Sequence, residues 1–201
     1  MIRTYPVNLV VEGRPVLVVG GGRVAAGKVR RLVESGADVT VVAPDVVADI
    51  TALGVRVEQR PYRRGEVAGY RLVITATGTE VDGQVFEDAE TAEVWVNAAD
   101  DPAHCSFTLP AVARRGAIQV AVSTGGLSPA MASWLRARFE EELTPELEAL
   151  LQLLHDEREA LRSQGTPTEG LAWREALDSG LLDLVREGRV AEARERLQAC
   201  L

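Results

Sequence analysis

Apolar runs and amphipathic stretches alternate along the first hundred residues of this 201-residue chain. Five segments have the pattern of strands, most of them buried on both faces: 16–20, 39–43, 55–58, 71–77 and 94–98. Residues 24–35 place apolar side chains at helical spacing before Gly36, a residue type that commonly ends helices, and residues 81–92 predict a second helix. This alternation predicts an α/β fold, a parallel sheet of βαβ units with helices on both faces.

The pattern changes after about residue 105. Residues 107–115 lead into a predicted strand at 117–123, and a glycine-rich turn then precedes a predicted helix at about 129–142. Thr144 and Pro145 are the residue types of an N-cap and a first helical position, and they open a long amphipathic helix over about 145–163. The remaining residues predict short helices.

The turn after the first predicted strand matches the pattern G-x-G-x-x-A from Gly20 to Ala25. Gly20 allows a sharp turn, Gly22 allows the backbone to approach a pyrophosphate, and Ala25 allows the helix to pack closely on the sheet. The start of the following helix offers unpaired N–H groups and a partial positive charge. Because the motif lies between a buried strand and an amphipathic helix, a dinucleotide ligand is favoured over a glycine-rich turn without one.

The end of the second predicted strand bears on the choice of dinucleotide. An acid about 20 residues after the glycines commonly binds the ribose hydroxyls. Here the strand ends at Ala43 and Pro44, and Asp45 either reaches the ribose from the loop or is a solvated loop acid. No arginine follows the strand directly, which favours NAD over NADP. The predicted cofactor-binding residues are Gly20, Gly21, Gly22, Arg23, Val24, Ala43, Pro44, Asp45 and Thr77.

Composition narrows the class of protein. The formal net charge of −8 argues against a nucleic-acid partner and requires any anion site to be local. No apolar run is long enough to cross a membrane, and the first residues lack the apolar core of a signal peptide. The two cysteines, Cys105 and Cys200, are typical of a reducing cytoplasm. With only His104 and His155, and without paired-ligand spacing, no preformed transition-metal site is expected.

Several motifs together resemble the precorrin-2 dehydrogenases, a module that also forms the N-terminal part of multifunctional siroheme synthases. The matching segments are Pro6–Leu9, VLVVGGGRVAAGK at 16–28, VTVVAP at 39–44, VITAT at 73–77, VNAADDP at 96–102, Cys105–Phe107 and STGGLSP at 123–129. Two positions depart from the pattern. Gly27 stands where the family usually has arginine, and Gly83 stands where asparagine is common.

The resemblance implies an architecture and a reaction. The expected parts are a Rossmann-type NAD-binding domain at 1–111, a central dimerisation region at 112–145 and a small helical domain at 146–201. The implied reaction removes two electrons and two protons from the tetrapyrrole precorrin-2, giving sirohydrochlorin and NADH in the siroheme pathway. The implied protein is a cytoplasmic homodimer without nucleic-acid or membrane partners. Two alternatives stay open: an enzyme that also inserts ferrous iron, and a non-catalytic NAD-sensing module.

Asp100 is the candidate catalytic base, because it follows the fifth predicted strand at the edge where open α/β sheets bind ligands. The resemblance implies the same role. The alternative is that Asp100 or Asp101 caps a turn before Pro102. Neighbouring His104 either relays a proton or lies at the surface, and Cys105 is expected to be a packed thiol.

A second glycine-rich turn, STGGLSPA, precedes the predicted helix at 129–142 and is the candidate site for substrate carboxylates. Its other interpretation, compatible with the first, is a helix N-cap by Ser128 with Pro129 at the first helical position. The resemblance implies a substrate with many carboxylates, which need arginine partners. The predicted substrate-binding residues are Ser123, Thr124, Gly125, Ser128, Arg114 and Arg115, with Arg136 and Arg138 as further candidates.

Overall fold

The computed structural model describes residues 3–201 and divides them into two compact units, Arg3–Leu109 and Pro110–Leu201. Each unit has hydrophobic clusters of its own. The predicted division into three parts at residues 111 and 145 stays a prediction.

The first unit is built on a five-stranded parallel sheet, which confirms the predicted fold class. Its elements are β1 (Pro15–Val19), α1 (Arg23–Glu34), β2 (Asp38–Val42), α2 (Ala48–Thr51), β3 (Arg56–Glu58), β4 (Leu72–Thr75), α3 (Val81–Thr91), β5 (Trp95–Ala98) and a 3₁₀ turn (Pro102–His104). The strand order is β3-β2-β1-β4-β5 with every pair parallel. The order reverses direction between β1 and β4, and open α/β sheets bind ligands at such a switch point.

Both faces of the central strand are buried, as its continuous apolar run predicts. Val16 and Val18 pack with the apolar stripe of α1, whereas Leu17 and Val19 pack with Val85 and other residues of α3. Helices therefore cover the sheet on both faces.

Two details of the first unit differ from the prediction. The short helix α2 was not expected, since its four residues are too few to show a helical period. The fourth strand ends at Thr75 rather than 77, because the N–H groups of Thr77 and Gly78 bond the side chain of Asp82 instead of a neighbouring strand.

The second unit begins with an antiparallel hairpin of β6 (Ala111–Arg115) and β7 (Ile118–Val122), against which α4 (Pro129–Glu142) packs. Residues 107–115, expected only to lead into a strand, thus contain a strand of their own. Four further helices follow: α5 (Pro145–Ser163), α6 (Trp173–Asp178), α7 (Leu181–Arg186) and α8 (Val190–Cys200). They enclose a leucine-rich cluster that includes Leu153, Leu181 and Leu197. No helix among residues 3–201 is long and apolar enough to span a membrane.

Candidate active site

The three glycines after β1 differ in the space around them. A Cβ on Gly20 would lie 2.6 Å from the carbonyl oxygen of Ala76, and a Cβ on Gly21 would lie 1.9 Å from that of Asp45. A Cβ on Gly22 would meet nothing within 4 Å. The first two glycines therefore allow neighbouring backbone to approach closely, and Gly20 also adopts a φ of +122°. The third leaves open space in front of the helix.

The start of α1 at this open space is suited to an anion. Gly22 is the N-cap residue, no side chain caps the helix, and the first turn holds no acidic residue. The first N–H groups of a helix have no intrahelical partner, and they carry the positive end of its dipole. Arg23 and Val24 are exposed there. These features fit the pyrophosphate of a dinucleotide.

The loop after β2 borders the glycine turn. The Val47 N–H donates to the Gly21 carbonyl oxygen at 2.9 Å, so this loop is fastened to the turn by its backbone. Ala43 is buried, whereas Pro44 and Asp45 are exposed at the carboxyl edge of the sheet. Ribose binding by Asp45 stays a prediction.

The turn between β4 and α3 lies on the other side of the switch point. The Thr77 hydroxyl donates to Asp82 Oδ1 at 2.8 Å and accepts the Thr79 N–H at 3.2 Å. Its predicted contact with the cofactor stays a prediction, although the hydroxyl already has protein partners.

Asp82 is a buried residue that the sequence interpretation missed. It lies on the buried face of α3 together with Val85 and Ala89. That spacing of three and then four residues is the sequence signal that places a carboxylate on the apolar stripe of the helix.

Asp100 directly follows β5 and has a left-handed backbone conformation, with φ of +61°. Such a conformation is uncommon for residues other than glycine, and strained residues cluster at functional sites. The side chain is exposed, and within residues 3–201 no hydrogen bond to its carboxylate is formed. The preceding Ala99 N–H donates to the Thr75 carbonyl oxygen at 2.8 Å, which anchors the loop to the sheet.

Lys28 is a second residue that the sequence interpretation missed. Burial lowers the pKa of Lys28, and nearby Arg31 lowers it further, whereas Asp100 and Cys105 act to raise it. The ammonium group is therefore near enough to Asp100 for their charges to interact. Lys28 is half-buried on α1.

Asp101, rather than Asp100, caps the turn before Pro102. Its Oδ1 accepts the Ala103 N–H at 3.2 Å, and its Oδ2 lies 2.5 Å from His104 Nδ1. The hydrogen bond from His104 lowers the pKa of Asp101. The two neighbouring carboxylates are thus separated in role, one paired with the protein and one open to solvent.

The ring of His104 lies over α3. Its centroid is 5.2 Å from that of Phe86 in an edge-on arrangement, and its Nε2 is 3.7 Å from where a Cβ on Gly83 would lie. At Gly83, one of the two departures from the family pattern, a Cβ would be in ordinary van der Waals contact with this ring. Cys105 is a packed thiol, whose Sγ contacts the backbone of Ala98 at 3.3 Å, and burial raises its pKa.

The second glycine turn is closed by its own side chains. Ser128 Oγ accepts the Met131 N–H at 3.1 Å and so caps α4. The Thr124 hydroxyl donates to the Ser128 carbonyl oxygen and accepts the Ser128 N–H, each at 3.1 Å. Ser123 Oγ accepts the Gly125 N–H at 3.3 Å. The N-cap interpretation of Ser128 is therefore observed, and carboxylate binding by this turn stays a prediction.

The arginines predicted to bind substrate differ in whether they already have partners within the protein. Arg115 Nε donates to the Leu143 carbonyl oxygen at 2.9 Å, while Arg114 is exposed and, within the described residues, has no hydrogen-bonded side-chain partner. Two other arginines bind within α4 itself: Arg136 pairs with Glu140, and Arg138 lies 5.1 Å above the ring of Trp134.

Known proteins resemble the chain along nearly its whole length. Residues 7–111 match the family model described as "Putative NAD(P)-binding", and residues 115–142 match "Sirohaem biosynthesis protein central". Siroheme synthases of Mannheimia succiniciproducens and Actinobacillus succinogenes are each 36% identical to it, over 96% of this chain and 42% of their own length. The chain belongs to the family of precorrin-2 dehydrogenases and siroheme synthase N-terminal modules. The predicted family is thereby confirmed.

A solved structure of this family shows the same fold. The precorrin-2 dehydrogenase SirC is 25% identical to the chain, has a TM-score of 0.75, and the match covers 98% of each chain. The chain spans about two fifths of the length of the curated siroheme synthases. The NAD(P)-binding match contains the open glycine turn, Asp82 and Asp100, and the central match contains β7, the second glycine turn and the whole of α4.

Proposed function

We propose that this chain oxidises precorrin-2 to sirohydrochlorin with NAD as the hydride acceptor, one step of siroheme biosynthesis. The observation that carries the proposal is the uncapped start of α1 at the sheet's switch point, in a chain similar to SirC over 98% of both lengths. The siroheme synthases, matched along 96% of this chain, support the same reaction.

Three segments of the chain bind different parts of NAD. The N–H groups at Gly22, Arg23 and Val24 hold the pyrophosphate, because they are unpaired and at the positive end of α1. Asp45 accepts hydrogen bonds from the adenosine ribose, beside Ala43 and Pro44. The turn at Thr77 borders the other half of the dinucleotide. When bound, NAD supplies the acceptor for a hydride.

Asp100 takes the proton that leaves the substrate along with the hydride. Its carboxylate is exposed and open to a ligand, and its strained backbone is held by the anchored loop after β5. The charge of Asp100 in turn acts to raise the pKa of half-buried Lys28. The neighbouring Asp101 is occupied by His104 and keeps its structural role.

The second unit supplies the contacts to the substrate's carboxylates. Arg114 has an exposed and unpaired guanidinium within the described residues, which suits it to a carboxylate partner. Arg115, Ser123, Thr124, Gly125 and Ser128 complete the proposed set, with the hydroxyls of Thr124 and Ser128 also closing the turn.

The protein acts as a homodimer through the central region at about 112–145. Large apolar side chains on and before α4 are exposed, among them Trp134 at 57% and Met131 at 53%. An exposed apolar patch of this kind is typical of a protein interface. Light scattering on the purified protein tests this, and a strict monomer would exclude it.

The test of the reaction combines the protein with NAD and precorrin-2 made by a separate methyltransferase. NADH absorbance is expected to rise with substrate consumption, whereas an NAD-sensing module would bind NAD and form no NADH. Adding ferrous iron to the product then shows whether the chain also inserts the metal.

The Asp100→Asn variant tests the proton acceptor. Turnover should fall by about a thousandfold or more, within the range attributed to general bases, while the Kd for NAD stays unchanged. Asp101→Asn is the matched control, since that carboxylate is paired with His104, and it should keep most activity. Full activity in Asp100→Asn would remove this residue from the mechanism.

A further inference from the structure

Asp82 is a buried carboxylate that the proposed reaction does not use. Its exposed fraction is 5%, and it lies in the first turn of α3 on the face that packs against the sheet. Burying a charge without partners is costly, so a carboxylate on an apolar stripe needs a full set of donors. Asp82 has four of them, all from β4 and the turn after it.

These donors tie the end of β4 to the start of α3. The Thr75 hydroxyl bonds Oδ1, and Thr77 donates to the same oxygen through its hydroxyl at 2.8 Å and its N–H at 3.1 Å. The Gly78 N–H donates to Oδ2 at 2.9 Å. All four donors precede the helix, so the carboxylate holds the turn rather than capping its own helix. The Val81 N–H is bonded separately, by the Thr79 hydroxyl at 3.3 Å.

The segment that Asp82 holds is packed against the glycine turn. The Ala76 N–H donates to the Val19 carbonyl oxygen at 2.8 Å, and the Ala76 carbonyl oxygen lies where a Cβ on Gly20 would be 2.6 Å away. Because the Ala76 carbonyl leaves no room for a Cβ at Gly20, we expect a shift of Thr77 and Gly78 to carry Ala76 toward the glycine turn. This contact lies between β1 and β4, the switch point of the sheet.

We propose that Asp82 is a positioning residue for the dinucleotide, whose buried carboxylate fixes the turn after β4 as the wall of the crevice opposite the glycine turn. The inference rests on the proposed function, since it assigns Asp82 to the same cofactor site. Asp82 acts through the backbone of residues 76–78 and through the Thr77 hydroxyl, which donates a hydrogen bond to its carboxylate.

Asp82→Asn is the test, because asparagine has the same shape and supplies one acceptor oxygen where aspartate supplies two. Its amide nitrogen faces an N–H or hydroxyl donor of the turn, so the turn is expected to shift. We expect the Kd for NAD, measured by calorimetry, to rise by about tenfold, the effect of losing one hydrogen bond to a charged group. The Kd for AMP, which reaches only the adenosine end, should change less than about twofold on the same reasoning.

Asp88→Asn is the matched control. Asp88 lies in the same helix and also accepts hydrogen bonds from a loop, from the Gly65 N–H at 2.8 Å and the Tyr62 hydroxyl at 2.7 Å. Its loop precedes β4 instead of bordering the switch point. Asp88→Asn should lower the melting temperature without changing the Kd for NAD, whereas Asp82→Asn should change both.

The outcomes separate the two proposals. If wild-type protein does not bind NAD, the proposed function fails first. If wild type binds NAD and Asp82→Asn binds it equally, with a lower melting temperature like that of Asp88→Asn, the role of Asp82 is structural only and the inference is overturned. If Asp82→Asn does not fold, Thr75→Val decides, because it removes one donor to the carboxylate at a buried residue that is not among the proposed cofactor contacts. A rise in the NAD Kd of about threefold supports the inference, and an unchanged Kd overturns it.

Discussion

The chain contains two glycine-rich turns that each open a helix, and they differ in what occupies the helix start. Before α1, Gly22 is the N-cap, no side chain bonds the first N–H groups, and space lies in front of it. Before α4, Ser128 caps the Met131 N–H, and Thr124 holds Ser128 by two hydrogen bonds. One turn is open to an anion, and the other is largely satisfied by the protein.

A glycine-rich turn before a helix therefore offers a ligand more donors where the protein itself leaves them unbonded. Both segments have glycines, a following helix and a small residue near the helix start. A serine at the N-cap competes with a ligand for the same N–H groups, whereas a glycine leaves them free. The mere presence of glycines does not separate the two cases.

The largest expected effect follows from placing a charge in the open turn. Gly22→Asp should raise the Kd for NAD on the order of a hundredfold, because a carboxylate at the helix start repels the pyrophosphate and occupies its space. The melting temperature should change little, because a Cβ at Gly22 meets no protein atom within 4 Å. Calorimetry and a thermal melt check both parts. Gly22→Ala, which adds bulk without charge, should have a smaller effect, and unchanged NAD binding in Gly22→Asp would show that the turn is not the pyrophosphate site.

The next effect is on stability, and it separates two adjacent glycines. Gly21→Ala should lower the free energy of unfolding by about 2 kcal/mol, typical of overpacking, because its Cβ would lie 1.9 Å from the Asp45 carbonyl oxygen. Gly22→Ala is the control, with no such contact. Urea denaturation of both variants measures the difference, and equal stabilities would mean that the loop after β2 moves aside without cost.

A smaller effect is expected at the closed turn. Ser128→Ala should lower the free energy of unfolding by about 1 kcal/mol, the usual cost of losing an N-cap, and leave the Kd for NAD unchanged. Urea denaturation and calorimetry measure these. A Ser128→Ala protein as stable as wild type would show that the cap does not contribute to stability.

The two neighbouring aspartates repeat the contrast between an open and a satisfied group. Asp100 is exposed without a hydrogen-bond partner within residues 3–201, whereas Asp101 is paired with His104 and caps the 3₁₀ turn. The loop therefore leaves one carboxylate open to solvent and uses the other to hold its own conformation.

The smallest effect concerns this pair and its pH dependence. The hydrogen bond from His104 lowers the pKa of Asp101 below its ordinary value of 3.8 in the folded protein. The resulting stabilisation is present above that value and is lost as the pH falls through the lower folded-state pKa. His104→Ala should therefore be less stable than wild type near neutral pH, and the difference should shrink in acid to the part that comes from lost packing on Phe86. Melting temperatures of both proteins, measured from neutral pH into acid, check this prediction. A difference in stability that is independent of pH would contradict it.

Local patterns were enough to predict much of the fold. The buried strands, α1 and α5 follow from the apolar pattern within each segment, α3 and α4 lie close to their expected bounds, and Ser128, Thr144 and Pro145 marked helix starts correctly as residue types. The glycine turn and Asp100 were placed at the sheet's carboxyl edge because both directly follow apolar runs, and parallel strands bring such ends to one edge. These features depend on neighbours along the chain.

The tertiary structure decided what depends on residues far apart in sequence. β4 ends at Thr75 because N–H groups just after it bond Asp82. Gly21 must be a glycine because a Cβ would clash with the Asp45 carbonyl oxygen. Residues 111–115 form a strand because they pair with β7. The tertiary structure also separated Asp100 from Asp101 and the open glycine turn from the closed one. A sequence pattern shows which groups can donate or accept, but only the packed chain shows which of them are already bonded within the protein and which remain open to a ligand.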